Sequence, residues 1–216
     1  MKKSIAVLGL GKYGMSLAKA LYDMGMDVLA VDMDEDKVKE IAEYSTYAIC
    51  MDLTNEDDVA ELDLKSMDIV VTAMGRNLSA SIMAVAVSKE KGVPLIVAKS
   101  SSERMTSILK RIGADKVVVP EQISGIQSAR ILVSDTMLDY FQVDNNLCMV
   151  EMYPLDKWVG RSLIDLNLRK NHLINAVAKK DQNNTWQLID PSVPLGKDDK
   201  LLIVVERSAL NKLNVQ

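Results

Sequence analysis

The sequence predicts an α/β fold, a doubly wound parallel sheet followed by a smaller α+β unit. Three observations predict it. Short apolar runs alternate with helical stretches six times between Ile5 and Val119. A glycine-rich turn, Gly9-Leu10-Gly11-Lys12-Tyr13-Gly14, joins the first run to the first helix. Beyond Phe141 the rhythm gives way to short alternating strands set off by turn residues.

The stretch Ser4 to Asp32 organises the rest. Ile5 to Leu8 is an apolar run of the kind buried on both faces of a sheet, and it leads straight into the glycine turn. From Met15 the apolar residues Leu17, Ala18, Leu21 and Met24 recur at helical spacing, the helix stops at Gly25, and a second strand, Val28 to Val31, ends on Asp32. Gly9 permits the tight turn, Gly11 leaves room for the backbone to approach a diphosphate, and Gly14 lets helix and strand pack closely. Free N–H groups at the helix start face an anion. Asp32 lies about 20 residues beyond the last glycine, where a carboxylate accepts both hydroxyls of an adenosine ribose. It also repels a 2′-phosphate, which disfavours a ligand of the NADP type.

After Asp32, Asp34-Glu35-Asp36 suits a helix N-terminus, and Val38, Ile41 and Ala42 give a helix to about Tyr44 its buried face. Thr46 to Met51 is the third strand, ending on Asp52. Asn55 to Asp58 opens another acidic-capped helix, and Asp68 to Ala73 is the fourth strand. Gly75-Arg76-Asn77 turns into a helix from Leu78 to Lys91, and Pro94 to Ala98 is the fifth strand. Ser100 to Ser102 starts a helix to Gly113, and Lys116 to Val119 is the sixth strand, closed by Pro120-Glu121. Ligands of such sheets sit beyond the carboxyl ends of the strands. The candidate contacts are therefore Gly9, Gly11, Lys12, Tyr13, Gly14, Asp32, Asp52, Leu53, Ala73, Met74, Gly75, Asn77, Lys99 and Glu121. Asp52 either bonds an adenine amino group or caps the turn that follows it. Lys12 and Lys99 offer point charges to a terminal phosphate.

From Glu121 to Tyr140 the pattern predicts one long helix. Ile123, Ile126, Val133 and Met137 form a stripe that Ile131, Leu132 and Leu138 widen beyond half the circumference, so burial against a second domain or a second copy is expected. Leu147 to Met152 then alternates like a strand, Gly160 to Leu166 starts a short helix, and Leu173 to Ala178 is a strand. Asn183-Asn184 is a hairpin turn with Trp186 to Ile189 as partner, and Asp199 to Val205 closes the unit before a helix from Arg207. The expected organisation is a nucleotide-binding domain over 1–120, a crossover helix over 121–141 and a C-terminal domain over 142–216. The last is too small for a substantial core alone, which points to dimerisation through it.

Composition narrows the function. The chain has 216 residues, 48% of them hydrophobic, and 13 Met against 4% aromatics, so its cores rely on aliphatic and thioether side chains. A net charge of −4 argues against non-specific nucleic-acid binding. Cys50 and Cys148 fall in apolar strand-like stretches without a C-x-x-C pair and read as buried thiols in a reducing compartment. The start Met1-Lys2-Lys3 precedes no signal-peptide core, and no apolar run approaches a membrane span, so a cytoplasmic location is expected. Catalytic material is sparse. His172 is the single histidine, Pro154 breaks the Tyr153 to Lys157 spacing out of a helix, and no activated nucleophile or metal cluster is evident. The chain reads as a nucleotide binder that is not an enzyme. An NAD-dependent oxidoreductase and a free-standing nucleotide sensor are the rival readings.

These residues resemble, over essentially the whole length, the RCK (regulator of conductance of potassium) proteins of the KtrA and TrkA type. The match is carried by the glycine turn, Asp32, Ala73-Met74-Gly75 with Asn77, Ala98-Lys99, Ile112 to Asp115 with Pro120-Glu121, and Gly160 to Arg169. The resemblance implies a Rossmann-like N-terminal RCK lobe, a crossover helix and a C-terminal RCK lobe. It implies homodimers assembled into an octameric ring beneath a membrane potassium pore subunit of the KtrB or TrkH kind. It also implies ATP and ADP competing for the Rossmann site, with NADH bound by TrkA-like members. Lys12 stands where the KtrA-like pattern has an arginine reaching the terminal phosphate of ATP. Glu121 matches a glutamate that takes a divalent cation, Mg or Ca, beside ATP, and is equally well placed as a helix N-terminal acid. Cyclic di-AMP, bound between two C-terminal lobes in similar proteins, would meet Ile164, Asp165, Arg169, Asn175, Ala176 and Pro191, residues that also suit core or turn positions.

Overall fold

The computed structural model describes residues 2–75, 77–181 and 183–213, and the chain forms two compact units, Met1–Glu121 and Gln122–Gln216. The first unit carries β1 (Ser4–Leu8), α1 (Lys12–Asp23), β2 (Asp27–Asp32), α2 (Glu35–Ile41), β3 (Tyr47–Cys50) and α3 (Glu56–Glu61). It continues with β4 (Ile69–Thr72), α4 (Leu78–Glu90), β5 (Leu95–Lys99), α5 (Glu103–Ile112) and β6 (Lys116–Val118), and α6 (Pro120–Leu132) begins at its end. All six strands pair in parallel, in the order β3-β2-β1-β4-β5-β6.

Burial explains why the apolar runs become strands. On one face of the sheet Ala6, Leu8, Val70 and Ile96 pack with Ala84 and Val85 of α4. On the other, Val7, Ala30 and Val71 pack with Ala18 of α1 and Ile41 of α2. Each fully buried Leu or Val contributes about 1.5–3 kcal/mol, so strands apolar on both faces occupy the centre. Helix starts are fixed by side-chain caps: Asp34 accepts from Asp36 N–H, Asn55 from Asp57 N–H, Asn77 from Ala80 N–H and Ser102 from Met105 N–H.

The second unit is an antiparallel five-stranded sheet, β10-β9-β11-β8-β7. Its strands are β7 (Met137–Gln142), β8 (Leu147–Met152), β9 (Ile174–Lys180), β10 (Trp186–Leu188) and β11 (Leu201–Glu206), with short helices α7 (Leu163–Leu166) and α8 (Leu168–His172) between β8 and β9. The unit closes a core of its own around Met152, Trp158, Leu166, Leu201, Ile203 and Leu210, which corrects the expectation that it is too small for one.

Two further expectations are corrected. The helix expected to run from Glu121 to Tyr140 ends at Leu132, and residues 137–142 form the edge strand β7. Ser134 marks the break: its hydroxyl accepts the N–H of Met137 at 3.2 Å, and Tyr140 pairs with Val150. Consequently Met137 and Leu138 leave the helical stripe, and Ile123, Ile126 and Leu132 are exposed on an α6 with no buried residue. Cys50 is exposed rather than buried, because β3 is the sheet's edge strand and its burial fades at both ends; Cys148 is buried as expected.

Candidate functional site

Strand order reverses between β1 and β4, so the crevice at a topological switch point opens between the glycine turn and the loop after β4. Gly9 has φ +98°, a conformation open to glycine, and its N–H donates to the carbonyl of Val31 at 2.7 Å. A Cβ on Gly9 would stand 2.6 Å from Cγ of Met74, and one on Gly14 would stand 1.9 Å from the Gly9 carbonyl oxygen. Both glycines are thus demanded by packing. Gly11 differs: nothing lies within 4 Å of a Cβ built there, so its backbone faces open space at the start of α1. Lys12 is exposed beside it, and burial pushes the Tyr13 phenol up.

Asp32 is buried at the tip of β2, its residue 8% exposed. Its Oδ2 accepts the N–H of Leu10 at 2.5 Å and its Oδ1 the N–H of Asp34 at 3.0 Å. Lys37 adds an ion pair to Oδ1 at 3.5 Å and a closer one to Asp34 at 3.1 Å. Hydrogen bonding to Asp34 holds the Lys37 ammonium up, and Lys37 in turn holds the Asp34 carboxyl down. An ionised carboxylate has about four acceptor sites. Two backbone donors and the longer contact from Lys37 therefore fix the orientation of Asp32 and leave about one of its acceptor sites unused. Lys37 was not among the sequence candidates; its position three residues beyond Asp34, on the first turns of α2, was the available signal.

Of the two readings of Asp52, the turn is what the structure displays. Its Oδ1 accepts from the N–H of Thr54 at 2.9 Å and from its hydroxyl at 2.8 Å, and the backbone bond from Thr54 is the main cause holding the carboxyl down. The Leu53 side chain is buried in the core. Across the crevice, Ala73 donates its N–H to Leu8 at 2.7 Å, and Asn77 caps α4. The Ser81 hydroxyl lies 2.6 Å from the Met74 carbonyl and 2.9 Å from that of Asn77, which secures the loop from below. Arg76 lies outside the described residues, as does the side chain of His172. Beyond Gly75 a cavity of about 360 Å³ continues between Leu78, Ser101, Ser102, Arg104, Met105 and Ile108.

Lys99 ends β5 on the same side. Its Nζ is 2.6 Å from Oε1 of Glu121 in the first turn of α6, and that bond holds the Glu121 carboxyl below the usual range. The ammonium also stands 5.7 Å from the centre of the Tyr13 ring. The structure thus links the glycine turn, Asp32, Met74, Gly75, Lys99 and Glu121 through a chain of contacts at the carboxyl ends of the strands.

In the second unit Ile164 is exposed and its N–H donates to the Pro191 carbonyl at 3.1 Å. Asp165 completes a capping box: its carboxylate accepts the Ser162 hydroxyl at 2.6 Å, which holds its carboxyl down. Asn175 and Ala176 follow one another on β9, so their side chains point to opposite faces, and Arg169 is exposed on α8. Among the described residues no group of three or more His, Cys, Asp or Glu is arranged to hold a metal, and no helix is long and apolar enough to cross a membrane.

A glycine turn wired to an acidic strand tip, at the switch point of a parallel sheet, defines a Rossmann-like lobe by its geometry. The chain belongs to the TrkA-N family, whose domain model matches residues 5–120. Its relatives include Ktr system potassium uptake protein C of Bacillus subtilis (strain 168), 39% identical over 180 residues, covering 83% of this chain and 81% of that one. Ktr system potassium uptake protein A of Vibrio alginolyticus is 35% identical over 208 residues, covering 92% and 94%. These findings bear out the resemblance to RCK proteins of the KtrA and TrkA type. In fold, the chain matches the RCK domain of GsuK with a TM-score of 0.66 and the GsuK channel with 0.68, each at 14% identity. It spans 47% and 40% of those chains' lengths.

Proposed function

We propose that this chain is the cytoplasmic, nucleotide-binding regulatory subunit of a bacterial potassium uptake system, and that it performs no catalysis. The kinship with Ktr system potassium uptake proteins supports the potassium role. The nucleotide role is carried by one observation: the carboxylate of Asp32, at the tip of β2, holds the glycine turn through the Leu10 amide and the start of α2 through the Asp34 amide without using all of its acceptor sites. An adenosine ribose fits the unused capacity, and the open backbone at Gly11 suits the phosphates that follow it. ATP and ADP are the expected ligands, with NAD(H) as the other dinucleotide-sized candidate; a GsuK channel has been solved bound to NAD.

The exposed apolar residues of α6 support a homodimer, and a ring of such dimers under a membrane pore subunit is the assembly in which nucleotide binding acts on transport. A ligand shifts such a ring only by its difference in affinity between two shapes, about 1–3 kcal/mol per coupled site. A divalent cation at Glu121 would need ligands beyond this chain, and cyclic di-AMP at the exposed Ile164 and Pro191 edge would need a second copy. Copurification of the tagged chain with a multi-span membrane protein, together with identification of the nucleotide released on denaturing it, tests the reading. Absence of both the membrane protein and any adenine nucleotide refutes it.

A further inference from the structure

We infer that Glu121 sets how strongly the crevice distinguishes nucleotides by the charge of their phosphates, because its carboxylate occupies the ammonium of Lys99 that a terminal phosphate has to capture. The inference rests on the nucleotide reading above and names a residue that tunes it.

The two partners of the pair are unequal. The Lys99 side chain is 13% exposed and that of Glu121 is 67% exposed, so the lysine is fixed and the glutamate is the replaceable member. The lysine stem runs over Gly75: a Cβ built there would stand 3.2 Å from Cε and 3.3 Å from Nζ. With the Tyr13 ring 5.7 Å away, the ammonium is held between the first turn of α1, the loop after β4 and the first turn of α6. These are the walls between which the glycine turn directs phosphates. Among the described side chains placed against the ammonium, Tyr13 is neutral and Glu121 is a full anion, 2.6 Å away.

Glu121 therefore acts as an internal stand-in for phosphate. An exposed ion pair is weak, so a polyphosphate with more charge displaces it. The carboxylate still opposes the incoming phosphate by competition and by repulsion. That opposition is absent for adenosine, which brings no anion to Lys99, and grows with the charge delivered there.

The test is calorimetric titration of the full chain with adenosine, ADP and ATP in a chelator, without divalent cations. The wild type is compared with Glu121→Gln, Lys99→Met and the double variant. Glu121 is exposed, so its amide isostere is expected to leave the fold unchanged. Glu121→Gln is expected to tighten ATP about threefold to fivefold, the worth of one exposed ion pair, and to leave adenosine unchanged. In the Lys99→Met background the same change is expected to alter ATP affinity less than about twofold. Unchanged ATP affinity in Glu121→Gln, equal tightening of all three ligands, or a gain that persists without Lys99 would each overturn the inference. Failure of every variant to bind adenosine, ADP and ATP would overturn the nucleotide reading and this inference with it.

Discussion

The N–H of Leu10 donates to Oδ2 of Asp32 at 2.5 Å, tying the glycine turn directly to the tip of the second strand. The residue that receives the ribose in our reading is therefore also the residue that holds the phosphate-facing turn in shape. Asp32→Ala is expected to act twice. It removes the ribose acceptor, abolishing measurable adenine nucleotide binding, and it takes the acceptor from the Leu10 and Asp34 N–H groups, lowering unfolding free energy by about 1–3 kcal/mol. Calorimetry reads the first effect and urea denaturation the second.

Gly14 and Gly11 separate packing from ligand approach. Gly14→Ala forces a Cβ into the Gly9 carbonyl and is expected to destabilise the fold by at least about 1–3 kcal/mol, seen as a lowered midpoint in urea. Gly11→Ala meets open space and is expected to cost no more than about 1 kcal/mol through the weaker N-cap. Its nucleotide affinity is expected to fall all the same, since the added methyl occupies the side from which phosphates approach. A stable Gly11→Ala with undiminished affinity would remove that glycine from the site.

The Lys99 to Glu121 pair gives a pH dependence with a definite sign. Hydrogen bonding to Lys99 lowers the Glu121 carboxyl in the folded chain. The contribution of the pair is therefore fully present above the ordinary glutamate range and is lost as pH falls through the lowered value. Carboxyl-detected NMR titration is expected to find Glu121 titrating below the ordinary glutamate range, and Lys99→Met is expected to move it up toward that range.

Ser162→Ala removes one half of the capping box that starts α7. A loss of about 1 kcal/mol in the stability of the second unit is expected in urea unfolding followed by Trp158 fluorescence. The Asp165 carboxyl, held down first by the Ser162 hydroxyl, is expected to rise in the same variant.

The parallel sheet was legible because its central strands are apolar on both faces and each is followed by a cap or a glycine. Strand order was not, since alternation of strands and helices fixes direction but not neighbours. The strand over 137–142 reads as helix in the sequence because Met137 and Leu138 continue the helical stripe of Ile126 and Val133. Ser134-Asp135 is the turn signal that interrupts the stripe. Cys50 looked buried because its neighbours are apolar, yet an edge strand leaves its residues uncovered. At the site, the glycines and Asp32 could be read from spacing alone. The ion pairs of Lys37 with Asp32 and of Lys99 with Glu121 could not. The second of these joins residues 22 apart that meet because β5 ends where α6 begins.

The central claim is that an adenosine sits on Asp32 at the switch point between β1 and β4. Calorimetric titration of the wild type and of Asp32→Asn with ATP, ADP and NADH tests it most directly, because the amide loses the charge and keeps an acceptor for Leu10, giving up only the one that Asp34 N–H uses. Saturable binding of at least one nucleotide to the wild type, lost or weakened at least about tenfold in the variant, is the predicted result. Equal affinity in both proteins, or no binding by the wild type to any of the three, would contradict it.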